Sequence, residues 1–260
     1  MRLHEDQTHR VAEEWTGSKA YANFYYAKAE DEACVEVFWH AKSKFRQLFD
    51  RLNTRTLVEL ACGHGRHTAR ILNTPELRHG IDRIYPIDIN NDNVQFCRER
   101  FSNNTLVHPF INNGLDFQPL ANSSVTAIFC YDAMVHFEYD AVHSYIEDAY
   151  RILTRGGRAL LHHSNYDGSP GTISTSNPHG RNFMSKRLFA HIAIRAGFEI
   201  CEQFIIHWGD FRNLDCISLI EKRHESDQVG SIVSSRSRLS GRLFHKLVSR
   251  KIKEYLSPRG

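Results

Sequence analysis

Residues 57–68, LVELACGHGRHT, constrain this chain more than any other segment. An apolar run, TLVEL at 56–60, stops at a turn carrying Gly63 and Gly65, and the chain then reads as a helix through ACGHGRHTARIL. Glycine takes backbone angles closed to other residues and lets a ligand lie against the main chain. A strand that ends in such a turn and feeds a helix is the opening unit of a parallel, helix-covered sheet. The next apolar strand, IYPID at 84–88, ends in Asp88, a carboxylate placed to accept both hydroxyls of a ribose.

The rest of the pattern extends this unit. Residues 91–101 read as a helix, TLVHP (105–109) as a third strand and VTAIFCYD (125–132) as a fourth. Residues 138–153 form a helix with Val142, Tyr145, Ile146, Ala149 and Leu153 on one face, broken by Gly156-Gly157. RALLHH (158–163) is a fifth strand. A helix over 185–196 and strands from Gly197 to about His207 and over 214–222 follow. The last two strands lie too close for a crossover helix, so at least one runs antiparallel. The first 50 residues read as helix, with Val35, Phe38, Trp39, Lys42, Phe45, Leu48 and Phe49 at spacings of three and four. The expected organisation is an N-terminal helical lid (1–54), an α/β, Rossmann-like, doubly wound, seven-stranded domain (55–222) and a tail (223–260).

Composition excludes several classes. Hydrophobic residues are 41% and charged residues 24%, enough to bury a core, so disorder along the whole chain is ruled out. The longest strongly apolar run is VTAIFCY at 125–131, far short of the roughly 18 residues a membrane helix needs. The polar start MRLHEDQTHR lacks the apolar centre of a signal peptide. The six cysteines form no CxxC pair, which fits a reducing cytosol and argues against a zinc or disulfide framework. No metal is expected. Net charge is +3, but residues 236–260 carry eight Lys/Arg and one acid, a net of +7, which leaves 3 − 7 = −4 for the rest. A body of that charge is a poor nucleic-acid binder. In the tail, Leu239, Leu243 and Leu247 recur beside Phe244, Val248 and Ile252 with basic residues between them. Such a basic amphipathic helix can lie on an anionic membrane surface, bind an acidic partner, or pack on the acidic body.

Two features separate the glycine turn from a dinucleotide site. Thr68 stands where that fingerprint has its third glycine. Glu59 also sits poorly beside a pyrophosphate and well beside an ammonium or sulfonium. ELACGHG (59–65), the strand-end Asp88, INNGLDF (111–117), CYDAMVHF (130–137) and RILTRGGRALL (151–161) together resemble, in order, the class I S-adenosylmethionine-dependent methyltransferases (type 11/25-like). The family's "R-v-L-k-P-G-G" signature has Arg155 here in place of its Pro. The resemblance implies S-adenosyl-L-methionine as cofactor. It implies that Ala61, Gly63 and Gly65 pass close to the methionine moiety and ribose, and that Glu59 orients the turn and the cofactor's amino group. It further implies Asp88 at the ribose, Ile89 beside the adenine, Asn113, Gly114 and Leu115 framing it, and Cys130 near the sulfonium. An N-terminal lid implies Tyr21, Tyr25 and Tyr26, with Trp15, over the cofactor; Tyr25 is taken as the contact.

Methyl transfer to a hydroxyl is an in-line displacement that needs the acceptor aligned and its proton removed. His136 after the fourth strand is the first candidate base and His163 at the end of the fifth the second, with Asp132 and Tyr131 in support. Successive strand residues face opposite ways, so one of His162 and His163 reaches the pocket. The long loop 165–183 offers Arg181 to an anionic acceptor. The string from 132 to 168 and the late 181–222 region are similar to a subgroup associated with bacterial polysaccharide and sugar modification, implying an oxygen of a carbohydrate or other small acceptor. A nicotinamide-dependent oxidoreductase on a related sheet, and a non-catalytic cofactor-binding scaffold, remain the alternatives. Cytoplasmic location, with peripheral membrane association through the tail, is the expected setting.

Overall fold

The structure, a computed structural model, describes residues 26–172 and 176–223. The chain divides into two compact units, 1–222 and 223–260. Tyr25, Tyr21, Trp15 and the whole basic tail lie outside the described residues.

A seven-stranded sheet organises the first unit. Its strands are β1 (Thr56–Leu60), β2 (Arg83–Asp88), β3 (Phe110–Ile111), β4 (Val125–Cys130), β5 (Leu153–Ser164), β6 (Phe198–Trp208) and β7 (Phe211–Lys222). Their order across the sheet is β3-β2-β1-β4-β5-β7-β6. The first five are parallel, and β7 runs antiparallel to both β5 and β6. The helices are α1 (Glu32–Trp39), α2 (Lys44–Phe49), α3 (Arg66–Asn73), α4 (Pro75–Arg78), α5 (Asn91–Arg100), α6 (Tyr139–Ile152) and α7 (Lys186–Ala196).

Both faces of the sheet are covered, so strand residues alternate between two apolar layers rather than between core and water. Val58, Ile128 and Cys130 pack with Val142, Ile146 and Phe189 on the α6–α7 side. Leu57, Ala127 and Phe129 pack with Phe38, Trp39, Phe45 and Phe49 on the α1–α2 side.

Three expectations are revised. The N-terminal stripe does not run as one helix: Ser43 accepts the Arg46 N–H and starts α2 anew after α1 has ended at Trp39. Lys42, at the break, is exposed. The third strand is displaced from 105–109 to Phe110–Ile111. Ile84 still pairs with Val107 as an isolated bridge, but Pro86 of β2 has no N–H to donate to the His108 carbonyl, which interrupts that ladder. Finally, Gly156-Gly157 lies inside β5, which begins at Leu153 opposite Val125 and shifts register before Arg158.

Candidate functional site

The carboxyl ends of β1, β2 and β4 meet the helical turn at 26–29 in one cleft. Its walls include Tyr26, Ala61, Gly63, Arg66, Asp88, Ile89, Tyr131, Asp132, His136 and Phe137.

The turn after β1 is built on left-handed backbone. Ala61, Gly63 and Gly65 have φ of 58°, 54° and 74°. For Ala61 that conformation costs about 1–2 kcal/mol, a strain of the kind that collects at ligand sites. Gly65 caps α3 and has no side chain to satisfy the helix's first N–H groups. Glu59 does so from β1: its Oε2 accepts the Thr68 N–H at 3.0 Å and the Thr68 hydroxyl. Burial pushes its carboxyl up to about 7, against the pull of Thr68. The Thr68 at the third-glycine place is therefore the partner that Glu59 needs. The other oxygen, Oε1, has no hydrogen-bond partner. Glu59 orients the turn, but it does not line the cleft.

Asp88 closes β2 and faces the same turn. Its carboxylate accepts the Gly63 N–H at 2.9 Å and the Asn90 N–H at 2.8 Å, one on each oxygen. Burial raises its pKa, and these hydrogen bonds oppose the rise. The Asn93 side chain and the Ile89 N–H also donate to this carboxylate, which fixes it at the end of β2. Tyr26 lies across Gly63, where an added Cβ would sit 2.8 Å from its ring. Its ring stacks on His64, and its hydroxyl accepts from Asn93 at 3.0 Å. Burial, then the Asp88 charge, moves the phenol up to about 12. Arg100 grips Glu30, and Arg70 grips Glu32 and Glu36, which fastens this N-terminal segment over the turn.

The far end of the cleft is formed by the chain after β4. Asp132 adopts φ 57°, a second non-glycine left-handed residue. Its carboxylate pairs with Arg66 at 3.1 Å, and its N–H donates to His162 Nδ1 at 3.1 Å. That contact leaves the proton on His162 Nε2, which donates to Asp215 at 3.1 Å. Arg181 donates twice to Asp215, at 2.9 and 2.6 Å. Burial alone would raise the Asp215 carboxyl, but Arg181 and His162 hold it down at about 2. Arg181 is thus buried and paired, not solvated and not offered to an acceptor. His136 follows in a short 3-10 turn, Met134–His136. Its Nδ1–H donates to the Gly180 carbonyl at 2.8 Å, which makes Nε2 the proton-accepting nitrogen. Burial lowers its pKa, so the ring is neutral at pH 7.

Of the residues expected at the site, the cleft gathers Ala61, Gly63, Asp88, Ile89, Asp132 and His136. Gly65 turns away: an added Cβ would meet Phe101 at 2.7 Å and Cys97 at 3.1 Å. Asn113 accepts from the Leu115 and Asp116 N–H groups in a local turn, and neither it, Gly114 nor Leu115 lines the cleft. Cys130 is fully buried in the core, where burial pushes its thiol up to about 12. His163 faces the opposite side of β5. It stacks on Phe189 with ring centroids 3.9 Å apart and is bonded to Ser218, and burial drives its pKa down to about 3. His162 is the member of the pair that meets cleft residues. Arg66 and Asp215 were not singled out from sequence. Their signals are a cation in the first turn of a helix, where the dipole disfavours it, and an acid inside the apolar strand LDCISLI.

Residues 57–157 match the model of a family described as a methyltransferase domain. No curated protein matches the sequence. Among solved structures, the fold is similar to a chain of the complex between the Haloferax volcanii Trm112 methyltransferase activator and a putative methyltransferase. That match has 18% identity and a TM-score of 0.57, and covers 78% of this chain and 98% of that one. It is also similar to geranyl diphosphate C-methyltransferase from Streptomyces coelicolor, solved with Mg2+, geranyl diphosphate and S-adenosyl-L-homocysteine. Here identity is 17% and the TM-score 0.55, with 68% of this chain and 77% of that one covered. A putative sarcosine dimethylglycine methyltransferase from Galdieria sulphuraria aligns at 14% identity and TM-score 0.56, over 74% of this chain and 87% of that one.

Proposed function

From the premise that the chain carries a class I S-adenosylmethionine-dependent methyltransferase domain, we propose that it methylates an oxygen of a carbohydrate-type or other small acceptor, with His136 as general base. The observation that carries this reading is the pairing, in one cleft, of the carboxylate Asp88 beside Gly63 with a neutral, tautomer-fixed His136 beside Asp132.

The residues present fit the cofactor. Asp88 places a carboxylate at the end of β2 where a ribose hydroxyl can meet it, Gly63 lines the cleft with no side chain of its own, and Ile89 offers an apolar contact for a base. Asp132 supplies a negative group suited to a cation. When bound, S-adenosylmethionine supplies a methyl group on a positively charged sulfur. Tyr131 and Phe137 give aromatic walls against which the C–H faces of a sugar can lie. His136 Nε2 takes the hydroxyl proton, and Gly180 stabilises the charge that then develops on the ring. Tyr26 and the segment fastened by Arg100 and Arg70 exclude water from the turn.

No helix among the described residues is long and apolar enough to cross a membrane. The net +7 of residues 236–260 supports a further proposal, peripheral attraction to an anionic membrane surface or an acidic partner.

The test is release of S-adenosylhomocysteine across a panel of sugars, sugar nucleotides, amines and thiols. A hydroxyl-bearing sugar is expected to support turnover. His136→Ala should lower kcat on the order of 10²–10⁴-fold and leave cofactor affinity nearly unchanged. Turnover confined to nitrogen or sulfur acceptors, or undiminished in His136→Ala, would overturn the reading.

A further inference from the structure

We propose that His162 is a positioning residue that holds Asp132 toward the transferring methyl group, with Asp215 and Arg181 as its anchor. This rests on the reading that the β4 end of the cleft faces that group.

Asp132 is held at two points. Arg66 takes its carboxylate from α3, and His162 takes its main-chain N–H from β5. The main-chain grip matters because Asp132 is left-handed, a conformation that persists only where its surroundings impose it. His162 can accept that N–H only as the tautomer protonated on Nε2, and Asp215 imposes that tautomer by accepting the Nε2 proton. Asp215 is in turn fixed by two hydrogen bonds from Arg181. The guanidinium of Arg181 lies over Trp208 at 4.9 Å, Trp208 stacks on Phe38, and Arg66 lies over Phe38 at 5.4 Å. The chain of contacts therefore closes on itself: Asp132, His162, Asp215, Arg181, Trp208, Phe38, Arg66 and back to Asp132. Side chains that are this buried are placed to fix one geometry. His162, Asp215 and Arg181 are exposed by 0%, 0% and 2%. None of the three lines the cleft, so their influence on a ligand passes through Asp132.

The test needs no acceptor. Sinefungin carries an amine in the place of the methyl group, and S-adenosylhomocysteine has nothing there. The ratio of their dissociation constants, measured by calorimetry, reports a carboxylate facing that place. Wild type is expected to prefer sinefungin by at least tenfold. The side-chain amide of Asn overlays the Nδ1 side of imidazole, so His162→Asn keeps an acceptor for the Asp132 N–H and should keep the preference. Gln overlays the Nε2 side, so His162→Gln keeps contact with Asp215, loses that acceptor, and should bring the ratio close to one with S-adenosylhomocysteine affinity unchanged. His162→Phe/Arg181→Met/Asp215→Leu, which replaces the buried ionic group by apolar side chains, should do the same and covers failure of His162→Gln to fold. An unchanged ratio in His162→Gln or in the triple variant, with Asp132→Asn lowering it, would overturn the positioning role. An unchanged ratio in Asp132→Asn would instead overturn the reading that Asp132 faces the methyl group.

Discussion

Glu59→Gln is expected to stabilise the protein above neutral pH and to flatten one part of its pH dependence. In the folded chain the Glu59 carboxyl is raised from 4.5 to about 7 by burial. The folded state therefore holds this proton more tightly than the unfolded state. Its stabilising contribution is complete below pH 4.5 and is lost as pH rises through 7. At about 1.36 kcal/mol per unit, the loss between pH 5 and pH 8 comes to about 2–3 kcal/mol. Buried neutral histidines act in the opposite direction. His163, lowered from 6.5 to about 3, contributes stability above pH 6.5 that disappears as pH falls. The wild-type profile mixes these slopes, so the informative quantity is the difference between wild type and Glu59→Gln. Gln keeps an oxygen for the Thr68 N–H and hydroxyl, which preserves the cap on α3. Urea unfolding of both proteins at pH 5, 6, 7 and 8 measures the difference directly. A stability difference that stays constant across this range would refute the assignment of Glu59 as a carboxyl held neutral by burial.

Gly65→Ala should destabilise the fold by about 1–2 kcal/mol from its left-handed backbone, with a further cost from Phe101, 2.7 Å from the added Cβ. Phe101→Leu should recover part of that cost in thermal unfolding, and cofactor affinity in the folded fraction should be retained. Asp215→Leu alone leaves the buried Arg181 charge unpaired and should cost about 3–5 kcal/mol in urea unfolding. Adding Arg181→Met should restore most of it. Removal of residues 224–260 should leave S-adenosylhomocysteine binding intact. It should reduce co-sedimentation with anionic vesicles at low salt, since each basic residue near such a surface contributes about 1 kcal/mol. Equal pelleting of the two forms would contradict the membrane reading of the tail.

The sheet was legible because its parallel strands are buried on both faces and read as short continuous apolar runs, with turn residues at their ends. TLVEL and the strand ending at Asp88 are recovered within a residue. The third strand was not, because the periodicity of 105–109 does not weigh the missing N–H of Pro86 in the neighbouring strand. That Gly63, Asp88, Asp132 and His136 share one cleft was legible from strand ends and chain order, since the topology brings these ends together. The fates of Gly65 and His163 could not. Both depend on which way a Cβ points, and hence on Phe101 and Phe189, residues distant in sequence. Asp215 escaped notice for a related reason. Its partners Arg181 and His162 lie 34 and 53 positions away, and no local spacing joins them.

The claim that the cleft at the ends of β1, β2 and β4 is the cofactor site is tested most directly by calorimetric titration of wild type and Asp88→Ala with S-adenosylhomocysteine, with NAD as the control ligand. Wild type should bind S-adenosylhomocysteine at one site per chain and give no heat with NAD. Asp88→Ala should weaken that binding by at least tenfold, because hydrogen bonds to a charged acceptor are worth about 1.5–3 kcal/mol each before water compensates. Circular dichroism should show the variant still folded. Undiminished affinity in folded Asp88→Ala, or binding of NAD in preference to S-adenosylhomocysteine, would contradict the account.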